Sequence, residues 1–187
     1  EKAIADLSKA IKLDPTDSSA YNNRGVSYSI RGEYDKAIAD NTAAIRIKPD
    51  HADAYNNRGI AHSERGEYEK ALADYSKAIE LDPTLVRAYY NRGNLYDELG
   101  EYEKAIADFS KAIELDPTLV RAYNNRGNMH SNQGEYEKAI PDYSKAIELD
   151  PTLVWPYNNR GRAHSERGEY EKAIADLSKA IKLDPTD

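Results

Sequence analysis

The fold is decided by the stretch AYYNRGNLYDELGEYEKAIADFSKAIELDP, residues 88–117, because the chain repeats it in phase. One tyrosine, one glycine and one proline each return at steps of 34 residues. The tyrosines are Tyr21, Tyr55, Tyr89, Tyr123 and Tyr157; the glycines are Gly25, Gly59, Gly93, Gly127 and Gly161; the prolines are Pro49, Pro83, Pro117, Pro151 and Pro185. Self-similarity at this period predicts a stack of supersecondary units that each contact only their neighbours.

The repeat divides the chain into a leading half unit and five whole units, which we expect to form a single array. The half unit spans residues 1–17, and the whole units span residues 18–51, 52–85, 86–119, 120–153 and 154–187. Residues 171–187 repeat residues 1–17 letter for letter. Because the chain starts and stops at the same phase, we favour a slice of a longer array over recent duplication of a self-contained segment.

Each unit is predicted to contain two helices. In the third whole unit, Ala88, Gly93, Tyr96 and Leu99 give the first helix a small or apolar stripe. Glycine adopts the left-handed conformation at low cost, so Gly100 should end that helix. The second helix should run from about Tyr102 to Leu115, where apolar residues recur at helical spacing before Asp116-Pro117 stops it. Short connections make the two helices antiparallel, so the expected fold is all-α, an α-solenoid of helix hairpins.

A polar pair recurs in every whole unit. Arg92 occupies a position where a leucine would pack well, and Asp108 follows sixteen residues later on the second helix. Because a half-buried guanidinium needs an acceptor, we expect a ladder of ion pairs between the two helices of each unit. The alternative is that both side chains reach water on separate faces. The other pairs are Arg24/Asp40, Arg58/Asp74, Arg126/Asp142 and Arg160/Asp176.

Composition narrows the function classes. The net charge of −7 disfavours a phosphate-binding surface, and the absence of cysteine excludes disulfides and thiolate chemistry. Neither a membrane-spanning run nor a signal peptide is visible, so we expect an intracellular protein, most simply a cytoplasmic one. His62, His130 and His164 lack companions at ligand spacing and are interpreted as core or edge residues. We expect no cofactor, no bound metal and no catalytic activity.

The motif Tyr55-x2-Arg58-Gly59-x2-His62, followed by Ala71-x3-Tyr75, Ala78 and Pro83, resembles the tetratricopeptide repeat, and the resemblance covers the whole chain. It implies a right-handed superhelix whose first helices line a concave groove, and a non-catalytic scaffold that binds a peptide or protein segment in that groove. Two departures stand out. Asn41 replaces the large residue at its position in the other units, so residues 18–51 should be looser. Pro141 should shorten or bend its helix.

The groove residues are predicted from the first-helix face opposite the core stripe. Asparagine amides there could bind a peptide backbone, the arginines could pair with acidic side chains or a terminal carboxylate, and Trp155 and Tyr90 could anchor the ligand. The alternative is that the asparagines only fix hydrogen bonds between adjacent first helices. This face changes from apolar in the early units to polar and basic in the later ones. The predicted groove residues are Asn22, Val26, Asn56, Ile60, Arg87, Tyr90, Asn91, Asn94, Arg121, Asn124, Asn125, Asn128, Trp155, Asn158 and Arg162.

Two other functions stay open from the sequence. A helical array can bind single-stranded RNA with one base per unit, but the acidic balance and the monotonous asparagines disfavour nucleic acid. Self-association is the second alternative, because the half unit lacks a first helix and Ile174, Leu177 and Ile181 in the last helix lack a following one.

Overall fold

The computed structural model describes residues 1–185, and these residues form eleven α-helices and no strand. Residues 186 and 187, the end of the last predicted unit, lie outside the described residues. The helices are α1 (Lys2–Leu13), α2 (Ser18–Ile30), α3 (Tyr34–Ile47), α4 (Ala52–Glu64), α5 (Tyr68–Leu81), α6 (Val86–Glu98), α7 (Tyr102–Leu115), α8 (Val120–Asn132), α9 (Tyr136–Leu149), α10 (Val154–Glu166) and α11 (Tyr170–Leu183). Within residues 1–185, none of these helices is long and apolar enough to cross a membrane.

The turn inside each hairpin is built on a glycine with positive φ. Gly32 has φ +73°, and the amide of Glu33 donates to the carbonyl of Tyr28 at 2.9 Å, which closes the end of α2. Gly66, Gly100, Gly134 and Gly168 adopt the same conformation, with φ between 72° and 75°. The predicted helix ends at these glycines are therefore confirmed.

The helices pack in two compact units, Glu1–Leu95 and the residues from Tyr96 onward. In the first unit α1 packs on α2, α2 on α3, α3 on α4, and α4 on α5. In the second unit α7 packs on α8, α8 on α9, α9 on α10, and α10 on α11. Each unit is thus a stack of hairpins in chain order, as the repeat predicts.

Small residues let the helices of a hairpin approach closely. A Cβ placed on Gly59 would lie 2.8 Å from Cε1 of Tyr75, so only glycine fits against that ring. Ala71 and Ala78 on the facing helix are completely buried. One part of the predicted stripe is wrong: Leu99 lies in the turn after α6 and is 39% exposed, whereas Leu95, one turn earlier, is buried.

The predicted arginine–aspartate ladder is confirmed in four units. Arg58 Nε and Nη2 donate to the two carboxylate oxygens of Asp74 at 2.8 and 2.7 Å, a bidentate pair, and Nη1 donates to Thr42 Oγ1 at 3.2 Å. The guanidinium also stacks over the ring of Tyr55, 5.4 Å from its centroid. One arginine thus links its own two helices to the preceding second helix. Arg24/Asp40, Arg126/Asp142 and Arg160/Asp176 pair in the same way, and Arg92/Asp108, divided between the two compact units, stays a prediction.

The two departures from the repeat have different outcomes. Asn41 is completely buried, and its Oδ1 finds no hydrogen-bond partner among the described residues, which is a local defect in α3. Pro141 lies on an exposed position of α9, and α9 keeps the fourteen residues of its counterparts. Pro141 therefore does not shorten α9, because the helix continues past the missing N–H, and the alternative that it bends the helix stays a prediction.

We expect the fold to lose stability in acid. Thr84 lowers the pKa of Asp82 by donating its hydroxyl and its amide to the carboxylate, and Asp116 and Asp150 have equivalent partners. Lys70 and then His62 lower the pKa of Glu67 by hydrogen bonding. A carboxylate whose folded pKa is depressed stabilises the fold above its unfolded pKa, and that contribution disappears as pH falls through the folded pKa. The urea midpoint should therefore be lower at about pH 3 than at neutral pH.

The matched control is the triple variant Thr84→Val, Thr118→Val, Thr152→Val. Since it removes one hydrogen bond to each of three aspartates, its midpoint should change less between the two pH values. Equal midpoints at acidic and neutral pH for the natural sequence would contradict the expectation.

Candidate ligand-binding pockets

The first unit contains an apolar pocket between two neighbouring first helices and the start of a second helix. The apolar pocket has a volume of about 300 Å³ and is lined by Val26, Ser29 and Ile30 of α2, Tyr34 of α3, and Asn57, Ile60 and Glu64 of α4. Ile30 is 82% exposed, although it is an aliphatic residue. The apolar pocket therefore offers aliphatic surface that water now contacts.

The second unit contains a polar pocket of about 380 Å³. It is lined by Asp97, Asn128, Met129, Ser131, Asn132, Tyr136, Tyr143, Asn159, Arg162 and Glu166. The Tyr143 hydroxyl donates to Asn128 Oδ1 at 2.9 Å, and that same oxygen accepts from Asn159 Nδ2 at 3.1 Å. The polar pocket is thus lined by an ordered set of amides and a phenol.

The two pockets occupy the same place in the repeat. Every residue that lines the apolar pocket has a counterpart three repeats later that lines the polar one. Serine, tyrosine, asparagine and glutamate are kept at four of the seven positions. The three that change are Val26 to Asn128, Ile30 to Asn132, and Ile60 to Arg162. One backbone framework therefore carries two side-chain chemistries.

Both signs of charge occur in the polar pocket. Burial raises the pKa of the Asp97 carboxyl above its ordinary value, and burial raises the pKa of Tyr143 to about 12. Tyr143 therefore stays a neutral phenol at neutral pH and can donate a hydrogen bond. Arg162 is exposed and supplies the positive charge, while Glu166 is also exposed. Such a pocket suits a ligand that carries donors and acceptors together, and not a bare anion.

The asparagines form hydrogen bonds between neighbouring first helices. Asn57 Nδ2 donates to Asn22 Oδ1 at 2.8 Å, and Asn91 Nδ2 donates to Asn56 Oδ1 at 3.0 Å. In the second unit Asn159 donates to Asn124 Oδ1 at 2.9 Å. The sequence left two roles for the asparagines, peptide binding or hydrogen bonding between adjacent first helices. The bonds of these asparagines are of the second kind.

The family models match at the positions of the predicted repeats. The model described as Tetratricopeptide repeat matches residues 86–119, 120–153 and 154–187, more than half of the chain. The chain belongs to the tetratricopeptide repeat (TPR) family. A TPR repeat model also matches residues 28–64 and 61–100, and a further Tetratricopeptide repeat model matches residues 7–39. TPR proteins typically serve as non-catalytic scaffolds for protein interactions. No curated protein matches the sequence.

Solved TPR structures share the fold over nearly the whole chain. YrrB, a TPR protein with an unusual peptide-binding site, is 24% identical with a TM-score of 0.79, over 96% of this chain and 93% of that one. A MamA structure is 26% identical with a TM-score of 0.80, over 90% and 92% of the two chains. MamA from Desulfovibrio magneticus RS-1 is 22% identical with a TM-score of 0.81, over 91% and 96%. These similarities identify an all-α fold of stacked TPR hairpins.

The TPR structure separates the predicted groove residues into four groups. Val26, Ile60, Asn128 and Arg162 line the two pockets. Asn22, Asn56 and Asn124 are buried between first helices, because the neighbouring helix covers that flank, so we do not carry them into the proposed binding surface. Arg87 is paired with Asp53, and Asn91 is bonded to Asn56. Tyr90, Asn94, Arg121, Asn125, Trp155 and Asn158 are partly or fully exposed on first helices and line neither pocket.

Several lining residues were missed by the face argument. In the apolar pocket these are Ile30, Tyr34 and Glu64; in the polar pocket they are Met129, Asn132, Tyr136, Tyr143 and Glu166. A signal for Ile30 existed, because the corresponding positions in the other units hold Glu64, Glu98, Asn132 and Glu166. An isoleucine among polar counterparts indicates local apolar contact.

Three of the four histidines, His62, His130 and His164, lie at the hairpin turns, and His51 precedes α4. His62 Nδ1 lies 2.6 Å from Glu67 Oε2, and His164 Nδ1 lies 2.8 Å from Glu169 Oε2. Each of these three histidines thus contacts the residue that follows the turn glycine and holds the turn closed. Among residues 1–185, no group of three or more histidines and carboxylates is arranged to hold a metal ion.

Proposed function

We propose that this TPR protein is a docking scaffold that binds extended protein segments at its two pockets, taking an aliphatic side chain in the apolar pocket and a polar segment in the polar one. The observation that carries the proposal is the reuse of one seven-residue framework with different side chains at three positions. Most core positions keep one residue type from unit to unit because they share packing, whereas these three positions change from aliphatic to polar or charged.

The apolar pocket fits a leucine- or methionine-sized side chain of a ligand. Its volume of about 300 Å³ lies at the lower end of the range for ligand pockets, which is about 300–1,000 Å³. Covering Ile30, Val26 and Ile60 removes exposed aliphatic surface from water, and full burial of one aliphatic ligand side chain contributes roughly 1.5–3 kcal/mol. Asn57 and Glu64, which also line the apolar pocket, can bind the backbone amides of the same segment.

The polar pocket fits a segment with an acidic side chain or a C-terminal carboxylate. Arg162 can pair with that carboxylate, and the amides of Asn128 and Asn132 can bind peptide groups on either side. Trp155 and Tyr90 remain our candidates for anchoring contacts elsewhere on the first helices, together with Arg121 as a further cation. YrrB, which shares the fold, has a peptide-binding site, and this supports a peptide as the class of ligand.

The experiment exchanges the two chemistries. Peptides of about twelve residues are selected by phage display against the natural chain, and their affinities are measured by fluorescence polarisation. The triple variant Val26→Asn, Ile30→Asn, Ile60→Arg gives the apolar pocket the side chains of the polar one. Because each new residue already occupies that position in another unit, the variant should fold. Peptides with an aliphatic anchor should lose about tenfold or more in affinity, about 1.4 kcal/mol or more.

The reverse variant, Asn128→Val, Asn132→Ile, Arg162→Ile, is the matched control. It should keep the affinity of aliphatic peptides for the apolar pocket and weaken acidic peptides. The exposed substitution Glu80→Gln on α5 should change neither class. The proposed function would be contradicted if selection enriched no peptide. It would also be contradicted if neither triple variant changed the affinity of any selected peptide.

A further inference from the structure

One acidic residue of the polar pocket departs from the repeat. Asp97 occupies a position that holds serine in the four other whole units, as Ser29, Ser63, Ser131 and Ser165. Its carboxyl is partly buried, and burial raises the pKa of that carboxyl with no nearby positive charge to lower it again. Within residues 1–185 the Asp97 side chain makes no hydrogen bond and no ion pair. Since a partly buried charge without a partner destabilises a fold, the packing of the chain does not explain Asp97.

A second carboxylate of the polar pocket lacks the partner that its counterpart has. In the apolar pocket Glu64 Oε2 accepts a hydrogen bond from the Tyr34 hydroxyl at 3.1 Å. Tyr136 and Glu166 are the counterparts of that pair in the polar pocket. In the part of the chain that the structure describes they are not bonded to each other, and Glu166 makes no ion pair. The carboxylates of Asp97 and Glu166 are thus both available to a ligand.

The position of these carboxylates along their helices favours a cation. Asp97 lies in the last turn of α6, and Glu166 is the last residue of α10. Asn132, which also lines the polar pocket, is the last residue of α8. A helix C-terminus carries a negative partial charge of about half an elementary charge. The carboxylates and the ends of α8 and α10 therefore all favour a positively charged group of the ligand.

The polar pocket also contains a positive charge that no carboxylate of the chain neutralises. Arg162 lies one turn before Glu166 on α10 and is exposed. Residues at this spacing can pair on a helix surface, yet among the described residues Arg162 forms no ion pair. The other whole units hold aliphatic or amide side chains at its position, namely Val26, Ile60, Asn94 and Asn128. The polar pocket thus presents separate groups of opposite charge, and both kinds are departures from the repeat.

We propose that the polar pocket binds the lysine or arginine side chain of a docked protein segment through Asp97 and Glu166, and an acidic side chain of the same segment through Arg162. This inference rests on the proposed function and adds the class of segment, which carries a basic residue close to an acidic one. Charge complementarity identifies that class, because a purely acidic segment is repelled by the two carboxylates and a purely basic one by the guanidinium. An incoming cation also supplies the partner that the Asp97 carboxylate lacks in the free chain.

The test removes the carboxylate that departs from the repeat. Asp97→Ser introduces the residue found at this position in the other whole units, so the variant should fold. The probes are the phage-selected peptides that lose affinity for the reverse variant Asn128→Val, Asn132→Ile, Arg162→Ile, since these peptides bind at the polar pocket. They should contain a lysine or arginine, and Asp97→Ser should weaken their binding about tenfold. Replacing that basic residue by glutamine should weaken binding to the natural chain about tenfold and binding to the Asp97→Ser variant much less.

Three further measurements separate a ligand contact from a structural role of Asp97. Glu80→Gln removes one negative charge from an exposed position of α5 and should leave the peptide affinities unchanged. Asp97→Ser should keep or raise the urea midpoint of the free chain, because it removes a partly buried charge. The pKa of the Asp97 carboxyl, followed by NMR titration of its carboxyl carbon, should be lower in the complex with a basic peptide than in the free chain.

The outcomes distinguish this inference from the proposed function on which it rests. If the peptides of the polar pocket contain no basic residue, or if Asp97→Ser leaves their affinity unchanged, the inference is overturned and the proposed function stands. A pKa of Asp97 that stays the same on binding overturns the inference as well. If no selected peptide loses affinity for the reverse variant, the polar pocket binds no segment, and the inference fails together with that part of the proposed function.

Discussion

Replacing Asp40 by alanine should lower the free energy of unfolding by about 3 kcal/mol, because the substitution leaves the Arg24 guanidinium half-buried without its carboxylate. Asp40 is 6% exposed and accepts two bonds from Arg24, at 2.7 and 2.8 Å. Arg24 Nη1 keeps its bond to Ser8, but a hydroxyl does not compensate the charge. Urea unfolding followed by circular dichroism measures the loss.

A double-mutant cycle separates the interaction energy between Arg24 and Asp40 from the cost of replacing each side chain alone. Arg24→Leu supplies the apolar residue that would pack at this position, and the double variant Arg24→Leu, Asp40→Ala should be less destabilised than the sum of the single variants. We expect a coupling of about 1–3 kcal/mol. The control is the exposed pair Lys77–Glu80 at 2.7 Å, where Glu80→Ala should change stability by at most about 1 kcal/mol. If the two single substitutions changed the free energy of unfolding additively, Arg24 and Asp40 would not be coupled. That result would contradict the proposal that the ladder stabilises the fold.

The ladder also shows why so much of the fold could be predicted from the sequence. A position that recurs every 34 residues meets the same neighbours each time, so a sixteen-residue offset that repeats in each unit points to a constant contact. The turn glycines and the bounds of α7 follow from local chemistry alone: a left-handed residue at one end and Asp-Pro at the other.

The asparagines show which part of the candidate site could not be predicted from the sequence. A helical wheel identifies the side of a first helix opposite its hairpin core, but the neighbouring first helix covers one flank of that side. Asn56 and Asn57 are adjacent in sequence, yet Asn56 is completely buried and Asn57 lines the apolar pocket. The difference depends on how closely successive hairpins approach, and no pattern within one helix encodes that distance.

The pockets were predicted only in part for a related reason. Val26 and Ile60 follow from the face of a single helix, whereas Tyr34 enters the apolar pocket from the start of the next helix. A site built from three helices needs the angle between them, which is a property of the packed hairpins. Comparison of equivalent positions within the chain was the available signal, and Ile30 is the residue that it would have found.

Replacing Asn41 by leucine should raise the stability of the first hairpin by about 1–3 kcal/mol. Asn41 is completely buried, and although its Nδ2 donates to the Ala37 carbonyl at 2.9 Å, its Oδ1 has no partner among residues 1–185. The same position holds Leu177 against Gly161 in the last hairpin, so the backbone already accommodates a leucine there. The substitution removes an unsatisfied acceptor and adds apolar contact in its place.

The reverse substitution, Leu177→Asn, is the matched control and should destabilise the last hairpin by a similar amount. Native-state hydrogen exchange measures both changes locally, because repeats couple mainly to their nearest neighbours. For Asn41→Leu, protection should rise in α2 and α3 and stay unchanged in α9. Lower protection in α2 and α3 would mean that the amide of Asn41 stabilises the hairpin through a contact that leucine cannot replace, and the unsatisfied oxygen would then not be a defect of the core.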